Sequence, residues 1–302
     1  MIDFHVEPTS KCTLECPLCS RTWFYEKFKK RNLHEINVDH LVAFIGKNKT
    51  ISMCGNNGDP IYHSQFIDLC SKLKDNECKI FITTNGSAKT KAWWSKLNSV
   101  LDQSDNIRFS IDGLKDTNHI YRKNAKWQSI MDAVSTLKNR ECRIEWKFIV
   151  FKHNQHQIKK AEALSKELGF DHFTLEHSDR WLNEKDLMPD EEFVDTTYKQ
   201  SQEILMNPDF KTTMSPKCLM DDKPQRSLYI DAEGNFYPCC WMGSYTYKYQ
   251  TVFSPKRKIF NIKDNTLKSI LERTEVKEFF NSTKQFTSAH ECCKIKCGVK
   301  NG

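Results

Sequence analysis

Three cysteines near the start of the chain stand at the spacing C-x3-C-x2-C, in Ser10-Lys11-Cys12-Thr13-Leu14-Glu15-Cys16-Pro17-Leu18-Cys19-Ser20-Arg21. One short loop therefore supplies three thiolates. A cubane iron–sulfur cluster normally takes four cysteine ligands, so a loop offering three can leave one iron open to a small-molecule ligand. The other chemistry open to this loop is a structural zinc, which needs a fourth Cys or His nearby. His5 and His34 both qualify. Six more cysteines lie late in the chain, at Cys218, Cys239, Cys240, Cys292, Cys293 and Cys297. Four thiolates from that set suit a second cluster or a zinc, because sulfur coordination serves either metal. Cys54, Cys70, Cys78 and Cys142 fall within or beside apolar segments and read as buried structural thiols.

Composition narrows the setting. The chain of 302 residues holds 13 cysteines. Its start, Met1-Ile2-Asp3-Phe4-His5, lacks the charged and apolar regions of an export signal. Ligand or redox duty in the cytoplasm is thus expected over a disulfide framework. No run approaches the roughly 18 apolar residues of a membrane span. The net charge is +7, from 46 Lys and Arg against 39 Asp and Glu. That balance favours an anionic partner or is simply a solvated face, as in Lys27, Lys29, Lys30 and Arg31. No nucleic-acid recognition motif accompanies it, so nucleic acid is not an expected partner.

The cysteine loop needs elements to hold it. β-like runs at Ile2–Glu7, Ile51–Gly55, Lys79–Thr84, Ile107–Asp112, Ile144–Phe151 and Phe173–His177 alternate with helical patterns around Asp39–Lys47, Ser64–Lys74, Thr90–Leu101, Lys126–Lys138 and Gln155–Leu168. Alternation of this kind predicts parallel strands with right-handed crossovers, here a partial, six-stranded α/β barrel over residues 1–180. Active sites of such barrels sit at the C-terminal strand ends, and Cys12 follows the first strand directly. Residues 181–217 read as a polar linker. Residues 218–302 then form a small cysteine-rich domain, with a β-hairpin at Leu228–Cys240 turning on Glu233-Gly234-Asn235 and a helical stretch over Thr266–Phe280.

The three-cysteine spacing resembles the signature of the radical S-adenosylmethionine (radical SAM) enzymes, and other segments extend the likeness in barrel order. Gly58-Asp59-Pro60 after the second strand resembles that family's Gly-Glu-Pro element, with Asp for Glu and Asn56-Asn57 where a second glycine is common. Thr83-Thr84-Asn85-Gly86 follows the third strand, and Ser110-Ile111-Asp112-Gly113 ends the fourth. Ser110 and Asp112 share a strand face, so both can point into the barrel. Arg122 stands where relatives place an arginine on the SAM carboxylate, a task its planar fork suits. Leu18 occupies a position more often aromatic, and still shields a cluster from water. Cys218, 15 residues, Gly234, four residues and Cys239 resemble the opening of the SPASM domain of radical SAM peptide maturases. The short ending is similar to that domain's abbreviated relative, the twitch domain, with one auxiliary cluster.

The resemblance implies a [4Fe–4S] cluster on Cys12, Cys16 and Cys19, SAM held by Gly58, Asp59, Pro60, Thr84, Asn85, Ser110, Asp112 and Arg122, and an auxiliary cluster on Cys218, Cys239, Cys293 and Cys297, with Cys240 and Cys292 able to exchange with their neighbours. It implies an oxidoreductase fed by a flavodoxin- or ferredoxin-like electron donor, acting on a peptide or a small alcohol or sugar. Oxidation releases a proton, for which Glu7, Glu176, His177 and Asp179 are candidate bases. Cys54 is placed to return a hydrogen atom, which would make the outcome an epimerisation. Trp146, Lys147 and His153 are candidates for the substrate pocket. An RNA-modifying radical enzyme and a non-catalytic zinc-binding barrel are the remaining alternatives.

Overall fold

The structure, a computed structural model, describes residues 2–29, 33–178, 185–194, 203, 212–216, 218, 226–244 and 247–300. All six apolar runs form strands: β1 Ile2–Val6, β2 Thr50–Met53, β3 Lys79–Thr84, β4 Asn106–Ser110, β5 Arg143–Ile149 and β6 His172–Glu176. They pair in parallel in the order β6-β5-β4-β3-β2-β1. Ile51 stands opposite Phe4 on one side and Ile80 on the other, while Ile107 stands between Ile82 and Ile144. All six side chains are buried, which fixes the register because a one-residue slip would turn them to the other face.

The connecting helices are α1 Ser20–Phe28, α2 Val38–Ile45, α3 Phe66–Asp75, α4 Lys91–Asn98, the single turn α5 Asn118–Tyr121, α6 Trp127–Thr136 and α7 Ile158–Glu167. Their apolar spacing explains their packing. In α3, Phe66, Leu69, Cys70 and Leu73 recur at helical intervals and are all buried. The side chains of Asn37 and Thr90 accept the backbone N–H of His40 and Trp93 and so start α2 and α4. Gly169, at φ +82°, follows α7 in the left-handed conformation that stops a helix. Strands and helices together make the partial α/β barrel.

Three features differ from the sequence-based expectation. α1 has no buried residue and no apolar period, so nothing local announces it. The stretch expected as one helix from Thr266 divides into α8 Leu267–Leu271 and α9 Thr274–Ser282. The break at Arg273 turns the apolar stripe, setting Phe279 edge-on to Phe253 at 5.0 Å. Finally, the late hairpin does not stand apart from the barrel. Its first strand, β8 Arg226–Ile230, lies parallel to β1 on the edge away from β2, with Phe4 opposite Leu228 and Val6 opposite Ile230. β9 Phe236–Tyr237 returns antiparallel to β8. The chain closes with α10 Glu291–Cys297 and β10 Gly298–Lys300, which pairs antiparallel with β7 Thr212–Met214.

Candidate active site

The C-terminal ends of the barrel strands surround a cavity of about 470 Å³. One wall is the cysteine loop, from which Cys12, Cys16 and Cys19 all line the cavity. Cys12 Sγ accepts the Leu14 N–H at 3.4 Å and the Asn85 side-chain amide at 3.6 Å. Leu14, Cys16, Tyr121 and Phe151 form a small apolar cluster of their own, with Leu18 packed against it, so the loop's inner side is dry. Burial, reinforced by the Asp59 charge, pushes the Cys12 thiol up to about 12. Burial likewise pushes Cys16 up to about 11, against the pull of Arg122. Thiols so placed ionise only when a metal replaces the proton, which suits them to a cluster. Among the described residues no three Cys, His or carboxylate side chains are gathered to hold a single metal ion. A cubane puts each thiolate on a different iron and needs no such convergence.

The second wall is the loop from Gly55 to Asp59, and its backbone is pinned from beneath. Glu7 Oε1 accepts the N–H groups of Asn57 at 2.5 Å and Gly58 at 2.8 Å. A Cβ on Gly58 would lie 1.9 Å from the Thr9 carbonyl oxygen, and one on Gly55 would lie 2.3 Å from the Gly58 carbonyl oxygen. Only glycine fits either position. Asp59 lines the cavity, but its carboxylate is taken up by the Thr84 hydroxyl at 2.9 Å, the Asn85 N–H at 2.7 Å and the Asn85 side-chain amide at 2.5 Å. Burial raises this carboxyl to about 6. Asp59 therefore ties the second strand's loop to the third's. Pro60 opens a 3-10 turn and does not line the cavity.

Thr83, Thr84, Asn85, Ser110 and Arg122 complete this side. Asp112 does not reach the cavity, contrary to the strand-face expectation, because β4 ends at Ser110 and the backbone turns. Wholly buried, Asp112 accepts the Ile149 N–H at 2.8 Å and Arg122 Nε at 2.6 Å. It holds Arg122 from behind.

Cys54, Lys147, Glu176, His177 and Trp241 also line the cavity. Glu176 pairs with Lys147 at 2.5 Å. The His177 ring bonds the Phe193 carbonyl. Burial raises the Cys54 thiol, with Lys147 pulling the other way. Glu7 is not available as a base: it is buried, its second oxygen accepts the Tyr229 hydroxyl at 2.5 Å, and it is absent from the lining. Trp146 belongs to the core, where its indole N–H meets the Ile111 carbonyl at 2.8 Å, and His153 stacks on Phe151 away from the cavity. Asp179 lies outside the described residues. Sequence reasoning missed Trp241, although its place directly after Cys239-Cys240 was a visible signal.

The late cysteines come together as well. Cys239 lies within electrostatic range of Cys240, Cys292 and Cys218, Cys292 of Cys293, Cys297 and Cys240, and Cys293 of Cys218 and Cys297. Burial pushes Cys239 well above its ordinary value and Cys293 up to about 12. The Ser215 N–H donates to the Cys297 carbonyl at 2.8 Å, which brings the end of α10 beside β7. Cys240 lies near Cys239 and Cys292 and also reaches toward the barrel. Its thiol meets His5, and its carbonyl accepts the Asn56 side-chain amide at 2.9 Å. The hairpin's cysteine pair thus touches both sites.

A family model described as the Radical SAM superfamily matches residues 6–176. The chain belongs to the radical SAM superfamily. A second family model, the SPASM iron–sulfur cluster-binding domain, matches residues 218–298. The structure of native anSMEcpe with bound AdoMet is similar at TM-score 0.61 and 16% identity, covering 98% of this chain and 86% of that one. anSMEcpe with AdoMet and the Cp18Cys peptide gives 0.57 at 16% identity, over 98% and 86%. Streptococcus suis SuiB bound to precursor peptide SuiA gives 0.61 at 11% identity, over 97% and 75%. At these identities the likeness shows the fold. No curated protein matches the chain in sequence. The cofactors of this radical SAM protein are a [4Fe–4S] cluster and SAM, with auxiliary iron–sulfur in the SPASM domain. The zinc-binding barrel is thereby set aside.

Proposed function

We propose that this radical SAM protein oxidises a peptide side chain by two electrons, using one auxiliary cluster as acceptor of the second electron. The observation that carries this reading is the shared cavity: Cys12, Cys16 and Cys19 line it together with Trp241, the residue that follows Cys239 and Cys240. A reduced cluster and SAM held there would supply the one-electron cleavage of SAM that lets a hydrogen atom be taken from substrate. The chain's own residues do the rest. Cys12, Cys16 and Cys19 hold the cluster, and Leu14, Leu18, Tyr121 and Phe151 keep water from it. The loop on Gly58, with Thr84, Asn85 and Ser110, receives SAM, and Arg122 takes its carboxylate. Glu176, beside Lys147, accepts the proton that leaves with oxidation. Cys218, Cys239, Cys293 and Cys297 hold the auxiliary cluster, with Cys292 beside them able to exchange with a neighbour and Cys240 engaged by His5.

The peptide choice is supported by the two peptide-bound structures of similar fold. A cytoplasmic setting is supported by 13 cysteines, an odd count suited to ligand or redox duty. Among the described residues no helix is long and apolar enough to cross a membrane. One observation favours a second outcome: the neutral Cys54 thiol also lines the cavity and is able to return a hydrogen atom, giving epimerisation. Product mass separates the two, since oxidation removes two hydrogens while epimerisation in D2O adds one deuterium.

The first test is iron and sulfide content after anaerobic reconstitution, with dithionite-driven 5′-deoxyadenosine release. About eight irons, falling to about four in the Cys12→Ala, Cys16→Ala, Cys19→Ala triple variant with release abolished, is the expected result. About four irons in the wild type and none in the variant would remove the auxiliary cluster from the reading.

A further inference from the structure

Helix α1 is anomalous for a soluble fold: its nine residues bury no side chain, yet it carries Trp23, Phe24, Tyr25 and Phe28. Trp23 is 44% exposed and Phe28 54%, and Leu33 just beyond reaches 58%. The aromatic rings are gathered. Phe28 lies 4.7 Å from Phe24 and 6.3 Å from Trp23 between centroids, and Lys27 Nζ sits 4.8 Å over the Trp23 ring. Charge is concentrated on the same stretch. From Ser20 to His34 the chain has Arg21, Lys27, Lys29, Lys30 and Arg31 against Glu26 alone. Exposed aromatics with basic residues are the composition of an interface.

The position of the helix says what kind. Cys19 is its N-cap, and the Trp23 N–H donates to the Cys19 carbonyl at 3.1 Å. The Arg21 guanidinium reaches back to the Leu14 carbonyl, so helix and cysteine loop move as one piece. The cluster must gain an electron for every SAM cleaved. SAM and substrate would take up the cavity that Cys12, Cys16, Cys19 and Arg21 line. The aromatic side chains further along α1, which Cys19 caps, stay exposed and offer an electron donor a short approach to the cluster.

We propose that α1 is the docking face for an acidic one-electron carrier protein, which reduces the N-terminal cluster across Cys19. The proposal rests on the radical SAM reading above. The carrier's reduced cofactor loses one electron and the cluster gains it, with no proton or bond exchanged. The basic run steers an acidic partner and makes encounter depend on salt, while a small aromatic patch lets the complex part after each turnover. A second copy of this chain is disfavoured as occupant, because two faces of the same positive charge repel.

The test compares holoenzyme with a Lys27→Glu, Lys29→Glu variant and with a Trp23→Ser, Phe28→Ser variant. Stopped-flow bleaching of the cluster is followed with reduced flavodoxin and separately with dithionite. Because none of the residues changed is buried, both variants are expected to keep wild-type iron content and circular dichroism. Flavodoxin-driven reduction should slow roughly tenfold or more at low salt in both, with the salt dependence flattened in the charge variant, while dithionite-driven reduction and 5′-deoxyadenosine release stay within about twofold. Unchanged flavodoxin rates would overturn the docking face. So would a wild-type dimer on gel filtration that the variants dissociate, which would make a second copy the occupant. Failure of dithionite-driven release in the wild type would instead sink the radical SAM reading, and the docking proposal with it.

Discussion

Asp59 stands where related loops carry glutamate, and its carboxylate is surrounded by donors from Thr84 and Asn85. Burial still dominates, raising the carboxyl from 3.8 to about 6. A group raised on folding contributes stability that is complete below about pH 4 and is lost as pH climbs through about 6. Between pH 5 and pH 7.5 the loss is about 1 kcal/mol. Asp59→Asn, which cannot ionise, should flatten that part of the pH dependence. Urea unfolding of the apoprotein at the two pH values measures it, and an equal slope in both proteins would acquit Asp59. Arg122 gives a second residue-scale expectation. Asp112 engages its Nε at 2.6 Å and Cys16 takes part of its guanidinium, while the group still lines the cavity where a carboxylate can reach it. Arg122→Lys keeps the charge but loses the fork, so SAM binding to reconstituted protein should weaken roughly tenfold at unchanged iron content. Equilibrium dialysis with labelled SAM reads it, and unaltered affinity would place the SAM carboxylate elsewhere.

The hairpin of β8 and β9 and the loop after β2 form one polar unit, although more than 160 residues separate them along the chain. Tyr229 donates to Glu7, Glu7 holds the amides of Asn57 and Gly58, and Asn56 bonds the Cys240 carbonyl. Tyr229→Phe would leave a buried carboxylate oxygen with only the distant Asn57 amide at 3.4 Å. An unmet buried acceptor costs about 1–3 kcal/mol, so the thermal midpoint should fall by several degrees. SAM affinity should fall too, because the loop proposed to receive SAM is loosened. A midpoint within a degree of wild type would show that the network carries no strain of this kind. The six strands and the cysteine loop were legible because local alternation and spacing encode them. The pairing of β8 with β1 was not, since hydrogen bonds between Phe4 and Leu228 segments leave no local trace in either. Asp112 misled for a related reason: two-residue periodicity holds only while the strand lasts, and β4 stops at Ser110. Trp241 enters the cavity only through the packing of the hairpin beside β1, and α1 gives no local signal because it lacks an apolar face.

At the scale of the molecule, that unforeseen pairing decides whether the barrel and the cysteine-rich segment are separable. The sequence suggests a break, with a barrel over 1–180 and an auxiliary domain over 218–302. Yet β1, which delivers the cysteine loop, has β2 on one edge and β8 on the other. Leu228, Tyr229, Ile230, Phe236 and Tyr237 are all fully buried against the same core as Phe4 and Val6. Burying a large apolar side chain contributes roughly 1.5–3 kcal/mol, so this group is worth on the order of 10 kcal/mol, as much as a typical domain's whole stability. Removing residues 218–302 would also open an edge of unpaired backbone along β1, a template for aggregation. The truncated chain 1–217 should therefore be insoluble, or soluble without a cooperative thermal transition, and should fail to assemble the SAM cluster even with Cys12, Cys16 and Cys19 intact. Expression of the fragment with anaerobic reconstitution and calorimetry tests this. A soluble monomer that melts cooperatively and binds about four irons would mean that β8 is an attachment to a barrel that stands by itself. The expected failure would mean that the auxiliary segment is a structural strand of the barrel as well as a holder of iron.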